Sequence, residues 1–421
     1  MLVHLKQQFD QRSSSAALRP VREKGWRQFE ALGLPTKKHE AYRYLPLTRL
    51  HQQNFTLADD APVSKQAFAQ AVNPASQHSH IVFVNGFFRS DLSDISALEG
   101  QVQLMALSDA MRSHSSFLNN RISKALLEEK DPFAALNAAT HGEGIFFYVP
   151  PKIVLEHPVQ CIYVHAHDAH ESLSSPRLHL FLGKDADIKW ISTSCGSGHL
   201  NGVLDAAFEE GAQLRLYNQI APRHDHWHFE SIRASLKKGS RLQSISTSSG
   251  SGCARQDYRV LLAGEGAEAQ VLGLTALQEK AQSHAHLLIE HAAPNTQSMQ
   301  RFKTLLDDAS QSSFEGKIFV RKEAQKTQAY QLNNNLLLDD RAIANSKPNL
   351  EIFADDVKAS HGVTVSQLDK ALLFYLKARG ISEQAAKKLL VDGFCQEILQ
   401  EFPYPFLAQE IQKRLNAPLN C

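Results

Sequence analysis

The spacing of apolar residues divides the chain into three textures. In the first third, Trp26, Phe29 and Leu32 recur at helical intervals, and the segment stops at Gly33-Leu34-Pro35, where glycine and proline end helices. Ile81-Val82-Phe83-Val84 and Phe87-Phe88 flank Asn85-Gly86, the dipeptide that best tolerates a tight two-residue turn, which predicts a short hairpin. Helical spacing then returns from about Leu104 to Ala139.

From about Gly144 the period changes to two. Short alternating runs are punctuated by Gly, Asp, Asn and Ser, and one unit recurs in degraded form. Asp185-Ala186-Asp187-Ile188-Lys189-Trp190 is echoed by Gly211-Ala212-Gln213-Leu214-Arg215-Leu216, by Gly239-Ser240-Arg241-Leu242 and by Gly266-Ala267-Glu268-Ala269. Asp308-Ala309-Ser310 reads as a later copy. Each unit is a residue tolerant of positive φ followed by alternation, as in a strand entered from a tight turn. The near-constant spacing predicts a β-solenoid, because every coil must close at a similar length. A β-sandwich whose strand ends share Gly-Ala turns fits the same pattern.

The alternation ends near Val365. Beyond it, Leu372, Leu373, Leu376, Ala386, Leu389, Leu390, Phe394 and Ile398 fit amphipathic helices broken at Gly380, with Ser382 as the N-cap of the second. The expected organisation is a mostly helical region with a hairpin over 1–143, a β core over 144–367 and a helical tail over 368–421. So short a tail cannot bury much by itself and must dock, on its own solenoid or on a partner.

Composition narrows the function. With 45 basic and 44 acidic residues the formal charge is +1, which gives no electrostatic argument for nucleic acid or an anionic membrane. Five scattered cysteines (Cys161, Cys195, Cys253, Cys395, Cys421) form no C-x-x-C pair, which argues against a disulfide framework or a zinc knuckle. Cys161, Cys195 and Cys253 read as buried small apolar residues. The first residues lack the apolar run of a signal peptide, and no stretch of membrane-spanning length occurs, so a cytoplasmic setting is expected.

Candidate chemistry is sparse. His224, His226 and His228 alternate, so on a strand three imidazoles share one face and could meet a metal. The segment follows Ala221-Pro222, however, and reads better as a solvated turn between repeats. The pairs His284/His286 and His165/His167 fall short of a ligand set. Gly264-Glu265-Gly266-Ala267-Glu268-Ala269 matches a dinucleotide fingerprint, but a strand follows where that motif needs a helix. The phosphate-loop, H-E-x-x-H and G-x-S-x-G motifs are absent. Asn333-Asn334-Asn335 is expected to form amide ladders between stacked strands. His361-Gly362, between the β core and the helical tail, lies at a junction of the kind that binds partners, although a hydrogen-bonded turn histidine explains it as well.

The stretch around that histidine carries a specific resemblance. Lys347-Pro348-Asn349-Leu350-Glu351-Ile352-Phe353-Ala354-Asp355-Asp356-Val357-Lys358 through Ser360-His361-Gly362 resembles the C-terminal signature of the SufB/SufD family. Leu373-Phe374-Tyr375-Leu376-Lys377-Ala378-Arg379-Gly380-Ile381, Gln331-Leu332-Asn333-Asn334-Asn335-Leu336-Leu337, and Gly33 to Glu40 with Tyr42, Tyr44 and Pro46 are further family-like elements, in family order along nearly the whole chain.

The resemblance implies a right-handed parallel β-helix flanked by helical regions, in a complex of SufB, SufD and two copies of the ATPase SufC that builds iron–sulfur clusters on SufB. Where SufB has a cysteine this chain has Ile352, which cannot ligate iron, so the resemblance points to the SufD-type branch. His361 then matches the family histidine that faces SufB's cysteine. Many relatives carry a cysteine where Ala359 stands. The tail, with Leu373, Tyr375, Leu376, Arg379, Gly380 and Ile381, would dock SufC. On this reading the chain is not an enzyme and holds no stable cofactor alone. The cluster is transient in the complex, flavin binds if at all in the complex, and the isolated chain is left open to pairing with itself as a homodimer. The rivals are a stand-alone metal-binding protein and a β-helix enzyme acting on polysaccharide.

Overall fold

The computed structural model describes residues 1–12, 15–166, 172–223 and 225–416. Six helices precede the β core: α1 (Leu2–Gln11), α2 (Arg19–Leu32), α3 (Leu47–Gln52), α4 (Leu107–Ser113), α5 (Ser115–Glu128) and α6 (Pro132–Thr140). α2 opens on Pro20 and ends at Gly33, whose φ of 68° releases the chain and whose N–H closes on the Phe29 carbonyl. The hairpin forms as its turn dipeptide predicts. His80–Val84 pairs antiparallel with Phe87–Phe88 across Asn85 and Gly86, both at positive φ. One departure from the expected segregation is that His80–Val84 also pairs, in parallel, with Val159–Val164, so the N-terminal region contributes a strand to the core.

The core is a parallel β-solenoid. After a short opening coil (Ile145–Val149, Val159–Val164), seven coils follow, each with one strand in either of two facing sheets. They are Arg177–Leu182 with Asp187–Cys195, His199–Phe208 with Gln213–Ile220, Trp227–Leu236 with Arg241–Ser248, and Cys253–Leu262 with Glu268–Leu277. Gln282–His291 with Gln297–Leu306, Gln311–Val320 with Thr327–Leu337, and Ile343–Ile352 with Val357–Gln367 complete the stack. Alternate residues point between the sheets, where Trp190, Leu216, Tyr258, Val271, Phe302 and Phe314 belong to one apolar cluster.

The repeat seen in the sequence is one corner of this stack. Asp185, Gly211, Gly239, Gly266, Asn295 and Lys326 all hold φ between 57° and 70°. The next residue in each case (Ala186, Ala212, Ser240, Ala267, Thr296, Thr327) is fully buried. Positive φ turns the chain, and a small residue then fits under the corner. Asp308 is misassigned by the sequence pattern: it turns the opposite corner, as Glu279 does, and the true fifth copy is Asn295-Thr296-Gln297. Gly264 to Ala269 is likewise a corner, leading into Glu268–Leu277 and not into a helix.

Sheets buried on both faces need both faces covered. The N-terminal helices cover one, with Phe133 of α6 stacked on Phe229 at 3.8 Å between ring centroids. The other is covered by α8 (Glu383–Leu399) and α9 (Pro405–Asn416), which follow α7 (Lys370–Ala378). Val391, Cys395, Ile398, Leu407 and Ile411 pack there against Ile191, Tyr217, Ile245, Leu272 and Leu305. Ser382 caps α8 as expected, its hydroxyl accepting from the Ala385 N–H. No helix among the described residues is long and apolar enough to cross a membrane.

Candidate functional site at the open end of the solenoid

The last coil has a neighbour on one side only. Ile343–Ile352 pairs with Gln311–Val320, Val357–Gln367 pairs with Thr327–Leu337, and among the described residues no further strand pairs with either. Two long sheet edges therefore stand free, a condition that isolated proteins usually blunt. Ile343, Phe353, Val363 and Val365 are exposed there, Phe353 to 60%.

His361 sits on this edge. It is the register partner of Gln331, and Ala359, two residues earlier, shares its face. Its ring is exposed and makes no hydrogen bond among the described residues. Ile352, in the other sheet of the same coil, pairs with Val320 and packs in a small apolar cluster with Ile318 and Ala354. The end of the solenoid thus offers one imidazole and no thiol. Among the described cysteines, Cys161, Cys253 and Cys395 are buried, and burial pushes the thiols of Cys253 and Cys395 up to about 12. Cys195 is only partly buried, unlike the sequence expectation, and its thiol is pushed up to about 11 by burial.

Behind the edge the interior is polar. The Gln331 side-chain amide donates to Gln300 Oε1 at 2.7 Å, and on the outer face of the same sheet Gln243 donates to Gln270 in the opposite sense along the stack, so the amide ladders run through glutamines. The asparagine triplet does something else. Asn335 donates to Asn333 Oδ1 at 2.8 Å and lies 3.3 Å from Ser346 of the facing sheet, while Asn334 reaches Thr364 of the last coil. From the N-terminal region, Glu40 forms an ion pair with Lys347, which also reaches Glu315 at 3.2 Å, so the family-like N-terminal element touches the last coil directly.

The tail presents a second exposed surface. Leu373, Leu376 and Ile381 are half-buried, and Gly380 turns the chain at φ 86°. Tyr375 is exposed with Arg379 5.0 Å above its ring. Leu372, Phe374 and Leu389 are exposed as well, Phe374 to 73%. The sequence reading took Leu372 and Leu389 for the buried side of amphipathic helices. The signal against this was a run from Leu372 to Leu376 that is apolar all round, which a helix docked on one face does not need.

In the histidine-rich segment Asp225 is an exposed turn residue, but the described histidines are not solvated. His224 lies outside the described residues, as does His167. His226 and His228 are buried, His228 on the inward side of Trp227–Leu236 with Nε2 3.8 Å from Glu230. His165 lies close enough that burial, and then repulsion from His228 and His226, lowers it to about 3. Among the described residues these rings do not form a three-ligand set. The group that does is Asp307, Asp308 and Asp339, and Arg341 already pairs with the last two. His284 donates to or accepts from Ser313, and His286 lies 2.8 Å from Asp257, so both are structural.

The parallel solenoid thus has helices packed on both faces and, among the described residues, no strand beyond its last coil. The model of the SufBD core domain, described as SUF system FeS cluster assembly, matches residues 164–394, and that of the SufBD protein N-terminal region matches 2–161. The chain belongs to the SufBD family of iron–sulfur cluster assembly proteins. It is 28% identical to the iron–sulfur cluster assembly protein SufD of Escherichia coli over 417 residues, covering 95% of this chain and 93% of that one. A SufBD family protein of Synechocystis is 28% identical over 403 residues, covering 93% and 88%. SufB of Bacillus subtilis is 22% identical over 361 residues, covering 83% and 77%.

Proposed function

We propose that this chain is the non-catalytic SufD-type subunit of a SufB–SufC–SufD assembly. The uncovered last coil carries the reading. Its two free edges and exposed apolar residues suit continuation by the β-helix of a SufB-type subunit, with His361 facing the junction. A neutral imidazole there donates one ligand to iron, the cargo of the reaction, while a SufB thiolate supplies another. Ile352, where SufB-type chains carry their cysteine, favours the SufD-type place. The exposed side of α7 suits a SufC-type ATPase, and its closure would be felt at the junction through α8 and the sheet beneath it.

Co-expression with SufB- and SufC-type proteins from the same source tests this. The three proteins should co-purify and yield an iron–sulfur chromophore. His361→Ala should keep the complex and lose the chromophore. Absence of any stable association with a SufB-type chain would refute the proposal.

A further inference from the structure

Three successive coils place Gln300, Gln331 and His361 at one register position on the inner face of the second sheet. The coil before them has Val271 there, so the polar column begins at Gln300 and ends at the open edge. Phe302 and Phe314, 5.0 Å apart between ring centroids, seal the interior beside its start. From the facing sheet Gly316 makes room for it: a Cβ at that position would lie 1.8 Å from Gln331 Nε2 and 2.6 Å from Gln300 Oε1.

The column has a direction. Gln331 Nε2 donates backward to Gln300 Oε1 at 2.7 Å. An amide that spends its N–H₂ on the coil behind presents its oxygen to the coil ahead. Gln331 Oε1 is buried and lacks a hydrogen-bond partner, in a residue only 3% exposed. A buried carbonyl without a donor is costly. The next side chain on the same face, about 4.8 Å along the hydrogen-bonding direction, is the His361 imidazole.

We propose that Gln331 is the positioning residue for His361: a turn of the imidazole, which is unbonded in the structure, lets Oε1 accept from its Nδ1–H and leaves Nε2 unprotonated, facing out of the open end. Nδ1 is the ring nitrogen nearer the backbone, at the height a glutamine amide reaches. The hydrogen bond made by one ring nitrogen decides which tautomer the other presents to a ligand. Gln300 holds the Gln331 amide in the required sense, and Gly316 gives both amides their space. The consequence for metal rests on the proposed role of His361; the tautomer itself does not.

The test is nitrogen NMR of the imidazoles in the full-length protein at pH 8.5. His361 is assigned by its loss in His361→Gln. The expected wild-type signal is a protonated Nδ1 with an unprotonated Nε2. Gln331→Met, of similar length but without an acceptor, should shift the ring at least fivefold toward the Nε2–H form. Gln331→Glu keeps an acceptor and should retain the Nδ1–H form. Should the Met variant fail to fold, Gln300→Met frees the Gln331 amide to rotate and should shift the same ratio. A wild-type ring in the Nε2–H form, or a ratio unmoved by these variants, overturns the proposal. If the tautomer behaves as expected and His361→Ala still assembles clusters, the positioning stands and the ligand role falls.

Discussion

Arg255 and Asp131 meet at 2.9 Å with both side chains shut away from solvent, one on the solenoid and the other at the start of α6. Asp131 also caps α6 by accepting from the N–H groups of Phe133 and Ala134, at 2.9 and 3.0 Å, and takes the Tyr42 hydroxyl at 2.7 Å. The guanidinium of Arg255 lies 4.1 Å from the Tyr42 ring centre and reaches Asp257 at 3.0 Å. Arg233 extends the seam, bridging Glu129 and Asp257 at 2.8 Å each. The N-terminal helices are thereby locked to the sheet by desolvated charges whose geometry admits one orientation.

Breaking that pair on one side strands the other charge. Asp131→Ala should destabilise the protein by about 3–5 kcal/mol, because it removes a buried partner and a helix cap together. Arg255→Met should cost a comparable amount. The double variant should cost clearly less than the sum, since neither charge is then left alone. Urea unfolding of the four proteins measures the coupling, and strict additivity would contradict the seam described above.

The buried histidines set the acid limit. Burial lowers His284 to about 3, and His179 and His291 to about 4. In the unfolded chain each takes up a proton near pH 6.5. Stability is therefore full above about pH 6.5 and declines as pH falls from there toward 4, each ring contributing up to about 1.4 kcal/mol per pH unit. His284→Gln keeps a partner for Ser313 and should reduce the slope near pH 5 by about one proton. Asp257 acts in a lower window. Burial pushes its carboxyl up, but Arg233, Arg255 and the His286 hydrogen bond more than reverse this and hold it well below the usual range. Its contribution is present above about pH 4 and is lost as pH falls further. Denaturant midpoints measured from pH 8 to 4 would show whether the His284 slope changes.

The corner turns were legible in the sequence because positive φ restricts residue choice and the following buried position admits only small side chains. Asp185-Ala186 and Gly211-Ala212 carry both marks. Asn295-Thr296 and Lys326-Thr327 occupy the same corner without glycine or alanine, and so escaped notice. The burial of His226 and the inward direction of His228 could not be read, since alternation fixes which residues share a face but not which face is buried. The uncovered coil could not be read either. Val357 to Gln367 alternates like any other strand, and only the stack reveals that nothing follows it. Recognition of His361 came from family resemblance, while its partner Gln331 is visible only through register.

The two parts of the tail should respond differently to substitution. Ile398 is fully buried against the sheet, so Ile398→Ala should cost about 2–5 kcal/mol in unfolding experiments. Phe374 lies on the exposed side of α7, and Phe374→Asp should change stability by less than about 0.5 kcal/mol. If α7 is the ATPase dock, the same Phe374→Asp change should release the SufC-type subunit while leaving a SufB-type partner bound. Retention of the ATPase by a folded Phe374→Asp protein would move the dock elsewhere.

Charge at the open edge should act on association and not on folding. Val365 lies at the inward register position beside Asn335, yet it is 51% exposed because no coil follows. Lysine there keeps a solvated ammonium in the isolated chain, so Val365→Lys should leave the unfolding midpoint within about 0.5 kcal/mol of wild type. When another β-helix stacks on the edge, that ammonium must be desolvated without a partner, which costs several kcal/mol. Single-sided charges of this kind are how natural sheets discourage edge pairing. Titration of a SufB-type subunit into wild-type and Val365→Lys protein, followed by analytical ultracentrifugation, should show binding weakened at least a hundredfold. Any self-association of the isolated chain through this coil should weaken in parallel. Unchanged affinity with a SufB-type subunit would mean that the partner approaches another face, and the role given to His361 would then lose its geometry.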